Sequence, residues 1–539
     1  MRNVPSEHGF SIVLVMALLL VGGLISAGYL AMAAYHMHVV DIEIDRVQQL
    51  VMLEQANNIQ DVMNETSGNL SHRKVPEHKM TRKSLHGRRE EVIGFIGMTP
   101  TYENGMPSFS SYAVLADDRG RKLPDNTSRT AIANYLQETL AQYFYFTDSE
   151  REPDNFDLVT FRYGDDITGK VYTNDQLALA TRSSPQPRTP IFRDFVQSAS
   201  EDITWTHPLG GGPEDPEEVF LGGYELGVPP IVYPHNAENV RNNAIRRFST
   251  HWWNPETQEE EEVAVRIEFK RSGRAKVTRH RFRQPGNPLS YHVDWAGQPG
   301  GPHADRIVDT LFTGVSIPQW PEGGSWFIDG VVELKGVFKG NLSVGASGNI
   351  YISDHLYYAD SDTLNFIRGM LGKPPENSKN YLGIISEKRV IIANSAANRQ
   401  FRFRGQEWGL VLNAAIAALG DGVYPEDRGA FTVQHMCGLE TDAARLSSNE
   451  PWMHELPHEG TVLTFWGAIA QRYRGYVHRT YSDAGCNNFG NHGGFHDKDY
   501  HYDERFYTQS PPDYIEVEYA NGGKSYVRYN WREMTGVND

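Results

Sequence analysis

The stretch that decides the fold runs Trp326-Phe327-Ile328-Asp329-Gly330-Val331-Val332-Glu333-Leu334-Lys335-Gly336-Val337-Phe338-Lys339-Gly340-Asn341-Leu342-Ser343-Val344-Gly345-Ala346-Ser347-Gly348-Asn349-Ile350-Tyr351-Ile352-Ser353-Asp354-His355-Leu356-Tyr357-Tyr358. Glycines at 330, 336, 340, 345 and 348 cut it into strands of a few residues. Val331, Leu334, Val337, Leu342, Val344, Ile350, Ile352 and Leu356 supply the apolar positions. Tyr381 to Asn394 repeats the theme with Leu382, Ile384, Ile385, Val390, Ile391 and Ile392. Short strands with polar corners and no helix between them predict a right-handed parallel β-helix over 326–480. A single coil cannot bury its own apolar face, so coils stack. The irregular spacing leaves a β-sandwich as the alternative.

Outward from that block, 240–325 reads as an insertion built on a β-hairpin. An acidic run, Glu259 to Glu262, precedes Val263, Val265, Ile267 and Phe269; Ser272-Gly273 makes the turn, and Ala275 and Val277 follow. Acidic residues on one strand and Lys and Arg on the other imply cross-strand charge pairs. Residues 151–239 read as the first part of the solenoid. There Tyr163 to Leu177 alternates apolar positions between Gly, Asn and Asp corners. Thr130 to Phe146, within a small α/β segment at 91–150, predicts an amphipathic helix with Ile132, Tyr135, Leu136, Leu140 and Tyr143 on one face. Residues 481–539 read as a C-terminal capping region.

Composition agrees with a turn-rich β protein: among 539 residues there are 50 Gly, 29 Pro and 27 Tyr. The net charge of −17 speaks against nucleic acid as a partner. Two cysteines exclude a disulfide-rich scaffold and a four-cysteine zinc site. No Walker loop, zinc-protease motif or GxSxG elbow is present.

Phe10 to Ala34 carries no charged side chain. As a helix it would reach about 37 Å, enough for a bilayer core of ~30 Å. It exceeds the roughly 7–15 apolar residues of a secretory signal. The plain reading is an uncleaved signal anchor with the larger carboxy-terminal part exported, since Asp41, Glu43 and Asp45 follow the span. The pattern Glu7-His8-Gly9-Phe10-Ser11-Ile12 resembles a type IV prepilin-type leader, which in that family is cut after the glycine, here between Gly9 and Phe10. Major pilins carry Glu at the fifth mature position, where this chain has Leu14; that departure is similar to minor pseudopilins and to the PilX amino-terminal family. An apolar stripe at Ile44, Val47, Leu50, Leu53, Ala56, Ile59 and Val62 extends the helix into a stalk, so that 1–9 is the leader and 10–70 the transmembrane and stalk helix. Residues 71–90, with seven Lys and Arg from Arg73 to Arg89, read as a solvated basic linker.

Three groups of residues offer chemistry. His492, His496, Asp497 and Asp499 lie within a His- and Asp-rich run and have the donor types of a divalent-metal site, although Gly493-Gly494 argues against the helix that would align the two His. No other cofactor is suggested. Cys437 and Cys486, outside the cytoplasm, favour one disulfide; two separate thiols are the alternative. Asp354, Asp360 and Asp362 come nearest to the clustered carboxylates a polysaccharide-active enzyme needs, and a turn-forming role suits them equally. No catalytic residue is assigned.

Several phrases occur together in order: Thr168-Gly169-Lys170-Val171-Tyr172-Thr173-Asn174-Asp175, Ser347-Gly348-Asn349-Ile350-Tyr351-Ile352-Ser353-Asp354, Leu382-Gly383-Ile384-Ile385-Ser386-Glu387, Asn413-Ala414-Ala415-Ile416, Gly467-Ala468-Ile469-Ala470-Gln471 and Asp499-Tyr500-His501-Tyr502-Asp503-Glu504-Arg505. The set resembles a family of large bacterial envelope proteins of unknown function that join a PilX-like or prepilin-like amino terminus to a β-helical ectodomain. The resemblance implies that Asp499, Tyr500, Tyr502, Asp503 and Arg505 are structural. It implies a single-pass protein of the bacterial cell membrane with an exported head, at the cell surface or on a pilus. Expected partners are the inner membrane, a prepilin peptidase and the pilins of a pilus or secretion system. The expected function is that of a non-enzymatic, minor pilin-like component of a type IV pilus or related secretion filament. The alternatives are an adhesin-like surface binding module and a β-helical polysaccharide-active enzyme.

Overall fold

A computed structural model describes Met32 and residues 75–534 except for 84–89, 104–105, 117–118, 120, 123–128, 154–155, 163–164, 181–188, 207–215, 282–306, 394, 396, 399–401, 421, 423–426, 434–461, 476, 481–491 and 496. The chain divides into two units, Met1–Leu136 with Tyr526–Asp539, and Gln137–Ser525.

In the first unit β1 (Val75–Lys83), β2 (Glu90–Glu103), β3 (Met106–Leu115) and β4 (Arg129–Gln137) form an antiparallel meander, and the C-terminal strand Tyr526–Met534 lies beside β4. β1 falls within the stretch read as a basic linker. β4 corrects the helix expected over Thr130 to Phe146. That segment is a strand, a short 3-10 turn at Leu140–Gln142 and the start of another strand. Among the described side chains of β4, Ala131 and Tyr135 are buried. Four residues apart, they satisfy a strand period as well as a helical one, and pairing along β3 decides between them.

The second unit is built on β5 (Tyr145–Ser149), β6 (Val171–Thr173), β7 (Val196–Ser198), β8 (Tyr224–Leu226), β9 (Ala244–Ser249), β10 (Glu259–Lys270), β11 (Arg274–Arg281), β12 (Gly324–Asp329), β13 (Val332–Phe338), β14 (Asn341–Ala346), β15 (Ile350–Tyr358), β16 (Tyr381–Ser386), β17 (Val390–Ile392), β18 (Gly409–Ala418), β19 (Phe431–Val433), β20 (Val462–Tyr473) and β21 (Asp497–Tyr502). Ten of them stack in parallel in the order β9, β12, β14, β16, β18, β20, β5, β6, β7, β8. A second parallel ladder runs β10, β13, β15, β17, β19. The registers align like residues from coil to coil. Trp326, Val344, Ile384, Ile416, Ile469, Tyr145, Val171 and Val196 form one buried row across the long ladder. Ile267, Leu334, Ile352, Ile392 and Val433 form another across the second. Each such aliphatic side chain contributes about 1.5–3 kcal/mol by leaving water, and no coil could bury these residues alone. The hairpin of β10 and β11 sets Ile267 opposite Val277 and Phe269 opposite Ala275, turning at Gly273 with φ +76°.

Two expectations are corrected by this architecture. The chain is mainly β, but the described residues do not form a membrane-crossing pilin-like helix followed by a regular right-handed solenoid. The coils do not stack in chain order, because β5 to β8 follow β20, and antiparallel strands flank the parallel ladders. The parallel pairing equally departs from a β-sandwich. No described helix is long and apolar enough to cross a membrane. The most apolar described runs, such as the ten buried residues of β18, satisfy their backbone groups against neighbouring strands. Single-pass membrane anchoring is therefore not supported. Of Phe10 to Ala34 only Met32 is described, and the expected stalk and leader lie otherwise outside the described residues.

The unusual stacking order demands a return path. Leu226 ends at the β8 end of the ladder, and Ala244 begins at the β9 end. Nine steps of about 4.8 Å separate these ends, roughly 43 Å, and residues 227–243, extended except for the helix Glu238–Asn242, reach about 47 Å at ~3.3 and ~1.5 Å per residue. Residues 227–243 make the crossing and are fastened on the way. Asn174 exchanges two hydrogen bonds with Ile231, at 2.9 and 2.6 Å. Tyr233 donates to the Ala418 carbonyl at 3.1 Å. Arg472 donates to the Tyr233 and Pro234 carbonyls at 3.1 and 2.8 Å. Glu387 accepts from the Ala237 amide at 3.0 Å and pairs with Arg241 at 2.7 Å. Gly345 leaves the room that Val240 fills; a Cβ there would sit 2.7 Å from its methyl.

Candidate functional site

β20 is longer than its neighbours on one side. Against β18 it is paired throughout, from Gly409 opposite Val462 to Ala418 opposite Gln471. On the other side two strands share it: β21 covers Val462 to Gly467, and β5 covers Ile469 to Tyr473. Where these partners diverge the sheet forks, and a cavity of about 570 Å³ opens beside the fork. Its apolar walls come from Phe144, Phe161, Ile167, Phe431, Ile469 and Val477.

Ion pairs ring these walls. Lys498 meets Asp165 at 3.3 Å, Arg193 grips Asp166 through two bonds of 2.7 Å, and Arg368 meets Asp497 at 2.6 Å. His501 Nε2 lies 2.8 Å from Asp499, which also accepts from the Gly369 amide at 3.2 Å, and the imidazole stacks on Trp466 at 4.4 Å. Deeper, Arg474 donates to Glu150 at 2.9 Å and to the Val159 carbonyl at 3.0 Å, with its guanidinium 3.7 Å from the Phe161 ring centroid. Of the four lining Asp, three meet Lys498, Arg193 and Arg368 and the fourth meets His501, while Arg474 is paired with Glu150.

Strand periodicity explains the distribution. Asp497, Asp499 and His501 point one way along β21, toward the 366–369 loop, and Lys498 and Tyr500 point the other. Gln471 locks the floor. Its Oε1 accepts from the Phe431 and Gly475 amides at 3.0 and 3.1 Å, and its Nε2 donates to Tyr145 Oη at 3.1 Å. Tyr500 packs its ring against Phe465, and its Oη is buried without a hydrogen-bond partner among the described residues.

Burial favours the neutral form of Asp165, but the Lys498 charge, the Arg162 amide and Arg474 outweigh it and hold the carboxyl below its usual range. Burial works against the charge of Arg474 and is outweighed by Tyr145, Glu150 and Asp165, so the guanidinium stays charged. Burial pushes Glu150 up, with Arg474 and the Thr147 hydroxyl pulling against it. Burial, reinforced by Asp165 and Tyr145, raises the Tyr500 phenol well above its ordinary value.

The structure distributes the expected site residues widely. Gly9, Phe10, Cys437, Cys486 and His496 lie outside the described residues. His492 stands in a short strand, His492–Gly494, paired antiparallel with His478–Thr480. Asp497 and Asp499 reach the cavity, each in the contacts given above. Among the described residues no group of three or more His, Cys, Asp or Glu could hold a metal ion. Asp360 accepts from Asn380 at 2.8 Å, and Asp362 caps the amides of Leu364 and Asn365 at 2.9 and 3.1 Å. Asp354 accepts from the His355 amide at 2.7 Å. Each is held within its own turn or by a neighbour. Asp503 and Arg505 pair at 2.6 Å, and Arg505 reaches the Ser378 and Asn380 carbonyls at 3.0 and 3.2 Å, fastening the turn after β21 to the coils. Sequence reasoning passed over Arg474, Gln471, Arg193 and Arg368. One signal was available: Gln471-Arg472-Tyr473-Arg474 places two arginines directly after the largely apolar run Val462 to Ala470.

No family model and no curated protein matches this chain. The crystal structure of the competence-associated pilin ComZ from Thermus thermophilus is similar over 90% of this chain and 96% of its own, at 12% identity and a TM-score of 0.31. A TM-score this low carries no argument about fold or role.

Proposed function

We propose that the protein is a structural and binding component, a minor pilin-like member of a type IV pilus or related secretion filament, and not an enzyme. The observation that carries the non-catalytic reading is the commitment of charge at the fork. Asp165, Asp166, Asp497 and Asp499 each face a cation or imidazole at 2.6–3.3 Å. General acid–base catalysis by paired carboxylates needs one that is free to give or take a proton near the working pH. The filament assignment rests on the leader-like Glu7-His8-Gly9-Phe10 and on Leu14 at the position where repeated pilin addition uses a carboxylate. The cavity favours a second reading, an adhesin-like surface binding module.

The test is the amino terminus of the cell-derived protein, measured by mass spectrometry with and without prepilin peptidase. A chain beginning at Phe10 only when the peptidase is present supports the filament reading. An intact start in both strains overturns it and leaves the binding module.

A further inference from the structure

We infer that the two ends of the long parallel ladder dock a second copy of this chain, end to end, with β9 of one copy alongside β8 of the next. This goes beyond the reading given above and does not rest on the leader. The inner strands of the ladder have a partner on each side. Among the described residues β8 pairs only with β7, and β9 only with β12. Each keeps a row of backbone N–H and C=O groups on its outer edge, the template for adding another strand. Stacked-coil proteins ordinarily close such ends with a polar capping repeat. Here the β8 end shows Leu221 and Tyr224, 56% and 40% exposed, and the β9 end shows Ile245 at 58%. The strand Ile307–Ser316 caps the core beside β9, where Phe312 stands edge-on to Phe248, and it leaves Ile245, Arg246 and Arg247 exposed.

The two ends are opposite in charge. Residues 194–226 contain eight Asp and Glu and no Lys or Arg. β9 carries Arg246 and Arg247, and neither meets a carboxylate among the described residues. Arg246 lies over the Phe312 ring, and Arg247 donates to the Arg241 carbonyl at 2.7 Å. Asp309, on the capping strand, is already paired with Arg279 at 3.2 Å.

The register of the stack says which residues would meet. One row passes from Arg246 through Trp326, Val344, Ile384, Ile416, Ile469, Tyr145, Val171 and Val196 to Tyr224. Continued into the next copy, it sets Arg246 beside Tyr224 and Arg247 beside Glu225, a cation–π contact and an ion pair. Two β8 ends, or two β9 ends, would oppose like charges. The end-to-end contact is heterologous, so it propagates past a dimer unless the rotation closes a ring.

The experiment is sedimentation velocity of purified full-length protein from about 1 to 100 μM. Growth from monomer to dimer and longer species is expected, and added NaCl should weaken it. Glu225→Arg and Arg247→Glu should each weaken association about tenfold, and both changes in one chain should restore it, because the pair is reversed and not removed. Melting curves establish that each variant is folded; if Arg247→Glu is not, Glu225→Arg and Ile245→Asp decide. A parent that stays monomeric over this range, association indifferent to the single changes, or a folded double variant that fails to recover overturns the inference. The amino-terminal test of the filament reading is read independently of all three.

Discussion

Replacing Arg472 should release the crossing segment 227–243 from the coils it spans. The guanidinium donates to the Leu419 and Gly420 carbonyls at 2.7 Å each, to Asp148 at 2.7 Å, and to the Tyr233 and Pro234 carbonyls at 3.1 and 2.8 Å. It therefore joins the turn after β18, the strand β5 and the crossing segment. Its side chain is only 8% exposed. A hydrogen bond to a charged group contributes about 1.5–3 kcal/mol alone, but five do not add, since the arginine also loses its own hydration. Removing one member of a buried charged network costs about 3–5 kcal/mol. In Arg472→Leu most of that cost should appear as local opening, because these hydrogen bonds fasten one segment. At 1.4 kcal/mol per tenfold, amide exchange in peptides covering 228–243 should accelerate by roughly two to three orders of magnitude. Arg472→Lys should be intermediate, keeping a charge for Asp148 but no fork for four carbonyls. Exchange in Arg472→Leu within about threefold of the parent, measured by mass spectrometry, would refute the role given to this residue.

Three further outcomes are expected. His355 accepts from the Val411 amide at 3.1 Å through Nδ1 and lies 2.8 Å from the Arg402 carbonyl through Nε2, so it is held as the neutral tautomer; burial lowers its pKa, with Asp354 and the Arg402 carbonyl opposing. The folded state then binds fewer protons than the unfolded chain, so stability is complete above the ordinary value near 6.5 and falls as pH drops below it toward the depressed value; His355→Gln should flatten melting temperature against pH over that window. Gly169→Ala should destabilise by at least about 2 kcal/mol, seen as a lower melting temperature, because φ is +93° and the new Cβ would lie 2.5 Å from Phe144 Cβ and 2.7 Å from Tyr502 Cβ. Tyr500→Phe should leave the melting temperature unchanged or slightly raised, since it deletes a hydroxyl that has no partner among the described residues; a clear fall would show that the hydroxyl is already satisfied.

Local elements were legible where local chemistry determines them. The turn at Ser272-Gly273 and the apolar faces flanking it could be read because a hairpin is specified by neighbouring residues. The glycines of Trp326 to Tyr358 were legible only in part. Gly330 and Gly340 make turns at φ +129° and +146°. Gly336 and Gly345 instead lie inside strands, where Phe269 and Val240 press against the backbone. Their partners come from segments about 70 and 100 residues away in sequence, which no local pattern announces. Stacking order was illegible for the same reason. Ile469 pairs with Tyr145 and not with a following coil, and both residues are equally acceptable neighbours in an apolar row. For the site, His492 and His496 attracted notice through helical spacing, whereas strand spacing governs the region and brings Asp497, Asp499 and His501 to one side of β21.

The fork and the crossing segment have one origin. A parallel stack built in chain order pairs each coil with the next and leaves no seam, because every strand is covered along its length by its successor. Here the coil after β20 is supplied by β5, more than three hundred residues earlier, and β5 covers only the second half of β20. The first half must be covered by another strand, and β21 supplies it. Two partners of separate origin need not continue one another. The backbone of β20 stays paired on both sides of the junction, and the cavity opens beside the point where β21 ends at Gly467 and β5 begins at Ile469. Strands held in register by rows of buried apolar residues supply part of its walls, and the connection 359–380 adds Arg368. The same rearrangement forces the chain to travel back from β8 to β9, and Arg472, two residues before Arg474 at the cavity, fastens that return. Fastening and cavity thus share the last residues of a single strand. Loosening the crossing segment through Arg472 should therefore be felt at Arg474 and Glu150, whereas altering Arg193 and Asp166 at the exposed rim should leave the crossing undisturbed.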